Sequence, residues 1–231
     1  MRTLLSRMAL GAVLGGLLGV GLAAAAAPAA PHAQAPTPLD QFLSRLHTLR
    51  VRFRQTLVDA HGALLSRSAG TLIVERPGKF RWSIHPLTGA QGASAAGAGQ
   101  LMVADGRNLW FYDRDLAQVT VQPVSAALSA TPAMLLSGTV DVRAHFTERM
   151  AGVREGLTWV FVEPRHASRA DFRSALFGFA HGTLKRMILE DTLGQEATIV
   201  FEQVALNAPV SAATFKFTPP KGVDVIGKPA Q

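Results

Sequence analysis

The side chains best suited to acid–base or metal chemistry are seven histidines: His32, His47, His61, His85, His145, His166 and His181. None stands in a His-x-His or His-x-x-x-His pair, so no single strand or helix presents two of them to one ion. A metal site gathered from distant residues is the reading left open. The chain holds no cysteine, which removes thiolate ligands, a cysteine nucleophile, disulfides and any lipid anchor attached through sulfur. There is no Gly-x-Ser-x-Gly elbow and no Rossmann or P-loop fingerprint. Glu190 and Asp191 adjoin a turn and read as solvated ends rather than an acid/base pair. The expected catalytic set is therefore empty, with no metal and no cofactor.

What remains is apolar chemistry, the removal of greasy surface from water. The run 79–85 points Phe80, Trp82 and Ile84 one way and Lys79, Arg81 and Ser83 the other. The run 108–112 offers Leu109 and Phe111 on one face, Trp110 and Tyr112 on the opposite one. The run 157–163 gives Leu157, Trp159 and Phe161 on one face and Val160 and Val162 on the other. Such faces build an ordinary core. They also build an interior that can be filled and emptied, if movable helices close one side of a curved sheet.

The elements that must position these residues are mostly strands. Thr37-Pro38-Leu39-Asp40 opens a helix with a capping threonine, a first-turn proline and an acid near the helix start. Leu39, Phe42, Leu43, Leu46 and Leu49 then recur at helical spacing, which predicts a helix over 39–49. The period switches to two at 51–58, with Gln55 as a polar exception on the inner face. Further strands are predicted at 68–75, 79–85, 100–104, 108–112, 116–121, 144–150, 157–163, 172–180, 183–191, 195–204 and 214–218. Turn signals such as Pro77-Gly78, Asp105-Gly106, His181-Gly182 and Leu193-Gly194 separate them. That spacing predicts an antiparallel meander closing toward a sandwich or barrel. Two stretches interrupt it. Residues 87–99 are small and Gly/Ala-rich, a hairpin loop without the lysine a phosphate loop requires. Thr131-Pro132 followed by Met134, Leu135 and Leu136 and stopped by Gly138 reads as a short apolar helix.

The first 27 residues carry Arg2 and Arg7, then an unbroken apolar run from Met8 to Ala27. This is the pattern of a secretory signal peptide, cleaved within Ala23–Ala27; an uncleaved membrane anchor is the other reading. Residues 28–38 read as a linker, and 39–231 as one domain. Beyond residue 38 the chain keeps 21 basic against 16 acidic groups. That surplus is modest and scattered, so nucleic acid is not an expected partner.

Several local patterns in order resemble the LolA family of periplasmic outer-membrane lipoprotein carriers. They are Phe53-Arg54-Gln55, the run Gly70 to Trp82 through Arg76-Pro77-Gly78, and the hairpin Ala104 to Asp113. Thr131-Pro132-Ala133-Met134-Leu135-Leu136, Asp191-x-x-Gly194-Gln195 and Phe215-x-Phe217-x-Pro219-Pro220-x-Gly222-Val223-Asp224 complete the set. The resemblance spans about 39–226 and implies a mostly β fold: an unclosed antiparallel β-barrel of about eleven strands with an α-helical lid. It implies a monomeric periplasmic carrier of acylated lipoproteins, loaded by an inner-membrane lipoprotein-releasing ABC transporter and unloaded by an outer-membrane lipoprotein receptor. It implies that Arg76 latches the lid through backbone carbonyls, that Trp82 faces an acyl-chain cavity, and that Phe80 helps pass cargo onward. Leu46, Met134 and Leu136 match lid positions, although Ala133 stands where the family often has a bulkier residue. Leu109, Phe111, Trp159 and Phe161 complete the expected apolar lining. Other readings are a lipocalin-like periplasmic binder of small hydrophobic ligands and a periplasmic hydrolase.

Overall fold

The structure is a computed structural model that describes residues 35–88, 93–94, 98–126, 132–139, 142–166 and 172–230. The expected leader, most of the linker, Thr131, and positions 89–92 and 95–97 of the Gly/Ala-rich loop lie outside the described residues.

Helix α1 (Pro38–Arg45) starts as its sequence dictates. The Thr37 hydroxyl accepts from the Asp40 amide at 3.1 Å and the Asp40 carboxylate accepts from the Thr37 amide at 3.0 Å, a reciprocal capping box. The helix ends earlier than predicted. Leu46 is already extended, and β1 (Thr48–Val58) takes over Leu49. Leu49 fits both the helical and the strand period; its burial is decided by the strand, where it shares one face with Val51 and Phe53.

The strands follow as β2 (Leu64–Glu75), β3 (Lys79–Thr88), the two-residue β4 (Ala93–Ser94), β5 (Gln100–Asp105), β6 (Asn108–Asp113) and β7 (Gln118–Pro123). Helices α2 (Pro132–Ser137) and α3 (Val142–His145) interrupt, and β8 (Phe146–Arg154), β9 (Leu157–Pro164), β10 (Phe172–Ala180), β11 (Thr183–Asp191) and β12 (Glu196–Leu206) resume. The predicted strand at 214–218 is instead a 3₁₀ turn over Ala212–Phe215 followed by extended chain. Its Phe217 packs on Trp110 and Tyr112 of β6, with ring centroids 5.7 and 6.1 Å apart, so this segment covers the outer face of the sheet rather than joining it. A last strand, β13 (Asp224–Gly227), pairs with β7 in parallel and has no counterpart in the sequence reading.

The sheet order is β13-β7-β6-β5-β3-β2-β1-β12-β11-β10-β9-β8, with β4 paired to β3. Two meanders therefore meet at the β1–β12 pair, and β8 and β13 remain as edges. The fold is a mostly β, unclosed and almost wholly antiparallel sheet. One buried cluster takes side chains from β1–β3, β5, β6, β8–β12 and from α1, α2 and α3, so the sheet curls around a shared interior. Gly70 makes room in it: a Cβ there would overlap the Ser83 carbonyl oxygen and approach the Phe53 ring.

Candidate functional site

Alternation along the paired strands fixes the inner rows. Leu72, Trp82, Met102 and Phe111 stand opposite one another across β2, β3, β5 and β6, and Val74, Phe80, Ala104 and Leu109 form the next row. Phe80 and Leu109 are buried and Trp82 is 5% exposed; Phe111 is half-buried at the margin of the row. Leu46, at the end of α1, joins the same cluster. Trp82 meets Phe53 edge-on, with ring centroids 5.9 Å apart.

The expectation for Trp159 and Phe161 is corrected. Val160 and Val162 face the interior, and Trp159 and Phe161 lie on the outer face of β9. Trp159 covers Gly178, where a Cβ would come within 3.0 Å of its ring, and the Arg154 guanidinium lies 4.8 Å from the ring centroid. Arg149 covers Phe161 in the same way at 4.1 Å. Both faces of β9 are apolar, so size alone pointed to the wrong one.

Helix α2 sits against β2 and β3 with Ala133, Met134, Leu135 and Leu136 all at most 1% exposed. A six-residue helix has its last four carbonyls without helical partners. Here each finds one. The Ser137 hydroxyl donates to the Met134 carbonyl at 3.0 Å, and the Gly138 amide to the Leu135 carbonyl at 3.3 Å. The other two bonds come from the β2–β3 turn: Arg76 Nη1 donates to the Leu136 carbonyl at 3.2 Å, and the Gly78 amide to the Ser137 carbonyl at 2.8 Å. The C-terminal cap of α2 is thus built by another element. Arg76 is half-buried, and burial lowers its pKa from the ordinary arginine value without discharging it near neutrality. A cleft of about 620 Å³ opens beside this clasp, walled by Pro77, Gly78, Gly138 and Thr139 on one side and Arg107 and Val124 on the other.

Gly138 belongs to the clasp as well as to the helix stop. Its φ is +70°, and a Cβ would lie 2.8 to 3.0 Å from the Arg76 guanidinium. Gly138→Ala is expected to displace Arg76 from the Leu136 carbonyl and to strain the backbone. Amide exchange in α2 should quicken about tenfold, a shift of about 1.4 kcal/mol. Unchanged exchange rates would show that the guanidinium has another resting place. Sequence reasoning reached Arg76 only through the family resemblance, and it read Gly78 and Gly138 as turn punctuation. Backbone amides and carbonyls carry no residue signature.

Helix α1 is held differently, by side chains at both ends. Asp40 receives two bonds from Arg143 of α3, at 2.6 and 3.1 Å, and Thr37 donates to Glu148 of β8 at 2.8 Å. Past its C-terminus, Asn207 accepts from the His47 and Thr48 amides at 2.8 and 3.2 Å and donates to the Arg45 carbonyl at 3.0 Å. The Arg143 bond lowers the Asp40 pKa below its ordinary 3.8, against the opposing effect of burial. Burial raises that of Glu148, with the Asp40 charge adding to it and the Thr37 bond opposing it. The two carboxylates therefore act with opposite sign. Stability from Asp40 is present above 3.8 and lost as pH falls through its depressed folded value. The burden of ionised Glu148 is present above its raised value and relieved on acidification. Amide protection of α1 is expected to hold from about pH 5 to about pH 4 and to fall only below about 3.8. Loss of protection between about pH 6 and about pH 5 would contradict this assignment.

The chain thus folds as a curled, unclosed β-sheet with an apolar interior shut by short helices. Residues 44–218 match the family described as outer membrane lipoprotein carrier protein LolA, and the chain belongs to that family. The "Outer-membrane lipoprotein carrier protein" of Dechloromonas aromatica is 39% identical over 87% of this chain and 91% of its own length. Those of Nitrosospira multiformis and Nitrosomonas europaea are 37% and 35% identical, over 85% and 86% of this chain and 90% and 92% of theirs.

Proposed function

We propose that the chain carries acylated lipoproteins through the periplasm, holding their acyl chains in the interior that α2 now fills. One observation carries the reading. Four consecutive α2 side chains are buried on the inner face of the sheet, while among the described residues two hydrogen bonds from the β2–β3 turn hold the polar end of the helix. Burial of an acyl chain is favourable by about 0.8 kcal/mol per CH₂, so such cargo does not cross water unaided. A cavity that held it irreversibly would never deliver it. Helix α2 and the cargo compete for one surface, and the clasp biases that competition toward release.

On this reading the inner lining is Leu46, Phe80, Trp82, Leu109 and Phe111, with Met134 and Leu136 as the lid residues that give way and Arg76 as latch. Export would remove the leader at 1–27 and leave 28–38 as a tether-like linker before the carrier domain. An inner-membrane transporter would load the protein, and an outer-membrane receptor of higher affinity would drain it. The names of the relatives and the family match support this reading. Native mass spectrometry of the protein taken from its own periplasm should find an acylated lipoprotein riding with a monomer. A free small hydrophobic molecule in its place would overturn the proposal in favour of a lipocalin-like binder.

A further inference from the structure

The chain has three tryptophans, and their indole N–H groups are not treated alike. Trp110 donates to the Asp105 carboxylate at 3.0 Å, and Trp159 to the Arg154 carbonyl at 3.2 Å. Trp82 is 5% exposed, its Nε1 is fully buried, and no acceptor among the described residues lies within hydrogen-bond distance of it. Phenylalanine would supply an apolar aromatic ring without leaving a buried donor unmatched. A buried N–H without a partner disfavours the state that holds it, which here is the closed one. The donor also stands in the inner row of β3, among Phe53, Leu72 and Met102, with nothing but apolar groups as neighbours in that row.

We infer that Trp82 donates this hydrogen bond to an acyl carbonyl oxygen of the cargo, and so reads where the acyl chain meets its head group. The inference rests on the carrier reading above and deepens it. Every acyl chain begins at a carbonyl, ester or amide, that loses its water when the chain enters an apolar interior. That oxygen then needs a donor as much as Trp82 needs an acceptor. The bond exists only in the loaded state, so it strengthens binding without stabilising the closed lid. It also favours acylated cargo over plain hydrocarbon.

The test uses the full mature protein with ¹⁵N-labelled indoles and three synthetic probes built on S-glyceryl cysteine. One has two ester-linked palmitoyl chains, one has two ether-linked hexadecyl chains, and one has the ether chains plus an N-palmitoyl amide. The ester probe should move the Trp82 indole resonance downfield and leave those of Trp110 and Trp159 in place. Trp82→Phe should weaken the ester probe about five- to tenfold and the ether probe no more than twofold. A loss for the amide probe like that for the ester probe would assign the amide carbonyl as a second acceptor. Replacing Trp82 with benzothienylalanine, which keeps the shape and removes the N–H, should reproduce the Trp82→Phe result. Equal losses for ester, ether and amide probes, or an unmoved Trp82 resonance on binding, would overturn the inference and leave the carrier reading intact. Failure of all three probes to bind wild-type protein would overturn both.

Discussion

Arg76→Leu is expected to yield a folded protein that takes up acylated cargo and hands it on poorly. The reason lies in the carbonyl of Leu136. With Arg76 present that oxygen is capped at 3.2 Å while α2 is closed. With leucine it is left without its charged donor in a buried position. A hydrogen bond from a charged group contributes about 1.5–3 kcal/mol, so the closed form should lose roughly a factor of ten to a hundred against the open one. Apparent affinity for cargo scales with the fraction of molecules that are open, so removing the clasp raises that affinity by up to the same factor. Delivery to a downstream receptor then falls, because the receptor must outcompete a stickier carrier and no helix returns to displace the cargo. Two measurements check this together: amide exchange in α2, which should quicken ten- to a hundredfold, and transfer of labelled lipoprotein to receptor, which should drop with loading intact. Arg76→Lys should recover little, since one ammonium cannot reproduce the planar group that lies against Gly138. Normal handover with unaltered α2 exchange would remove Arg76 from the mechanism.

The parts of this account that could be read from the sequence are those with a local signature. Period-two runs and Gly-containing turns located nearly all the strands of both meanders, because each hairpin is specified by its own residues. The Thr37 cap and first-turn Pro38 located the start of α1. Its end was hidden, since Leu49 satisfies two periods at once and only the pairing of Thr48 onward with β2 and β12 decides between them. The face of β9 was hidden for a related reason: an alternation between two apolar sets gives no sign of which set is inside. Parallel β13 escaped because its partner, β7, lies far earlier in the chain and its own four residues are all exposed. In the site, Arg76, Phe80 and Trp82 were legible as residues. The Gly78 half of the clasp was not, because its donor is a backbone amide and its acceptor, on Ser137, a backbone carbonyl.

Phe80→Glu should have a larger effect than the loss of the clasp, and its pH dependence sets it apart from a simple packing defect. Phe80 is wholly buried on the inner face of β3, the strand on which α2 packs and which leads directly out of the clasp turn. A carboxylate there has no cation beside it in the inner row, whose other members are Val74, Ala104 and Leu109. An uncompensated buried charge costs several kcal/mol; a cost of about 4 kcal/mol shifts the lid toward its open form about a thousandfold. The open form lets water reach the charge, so the strands of the other meander should keep their protection while α2 loses its own. Acyl chains meet the same carboxylate, so transfer should be lost along with closure. The sign with pH follows from linkage. In the closed form the pKa of the introduced carboxyl group is raised, while in the open form it stays near the ordinary value of about 4.3. Closure is therefore penalised at neutral pH, and the penalty fades as pH falls toward that open-state value. Amide exchange of α2 measured from about pH 7 to about pH 4, extrapolated to a common intrinsic rate, should show protection returning on acidification in Phe80→Glu. Phe80→Ala, which creates a cavity and no charge, should show no such return. If α2 in Phe80→Glu is as protected at neutral pH as in the wild type, the side chain at position 80 does not lie beneath a lid at all. If β10 and β11 lose protection in step with α2, the substitution has unfolded the sheet instead of opening the helix. Only an α2-specific, acid-reversible loss supports a lid that opens over an otherwise intact sheet.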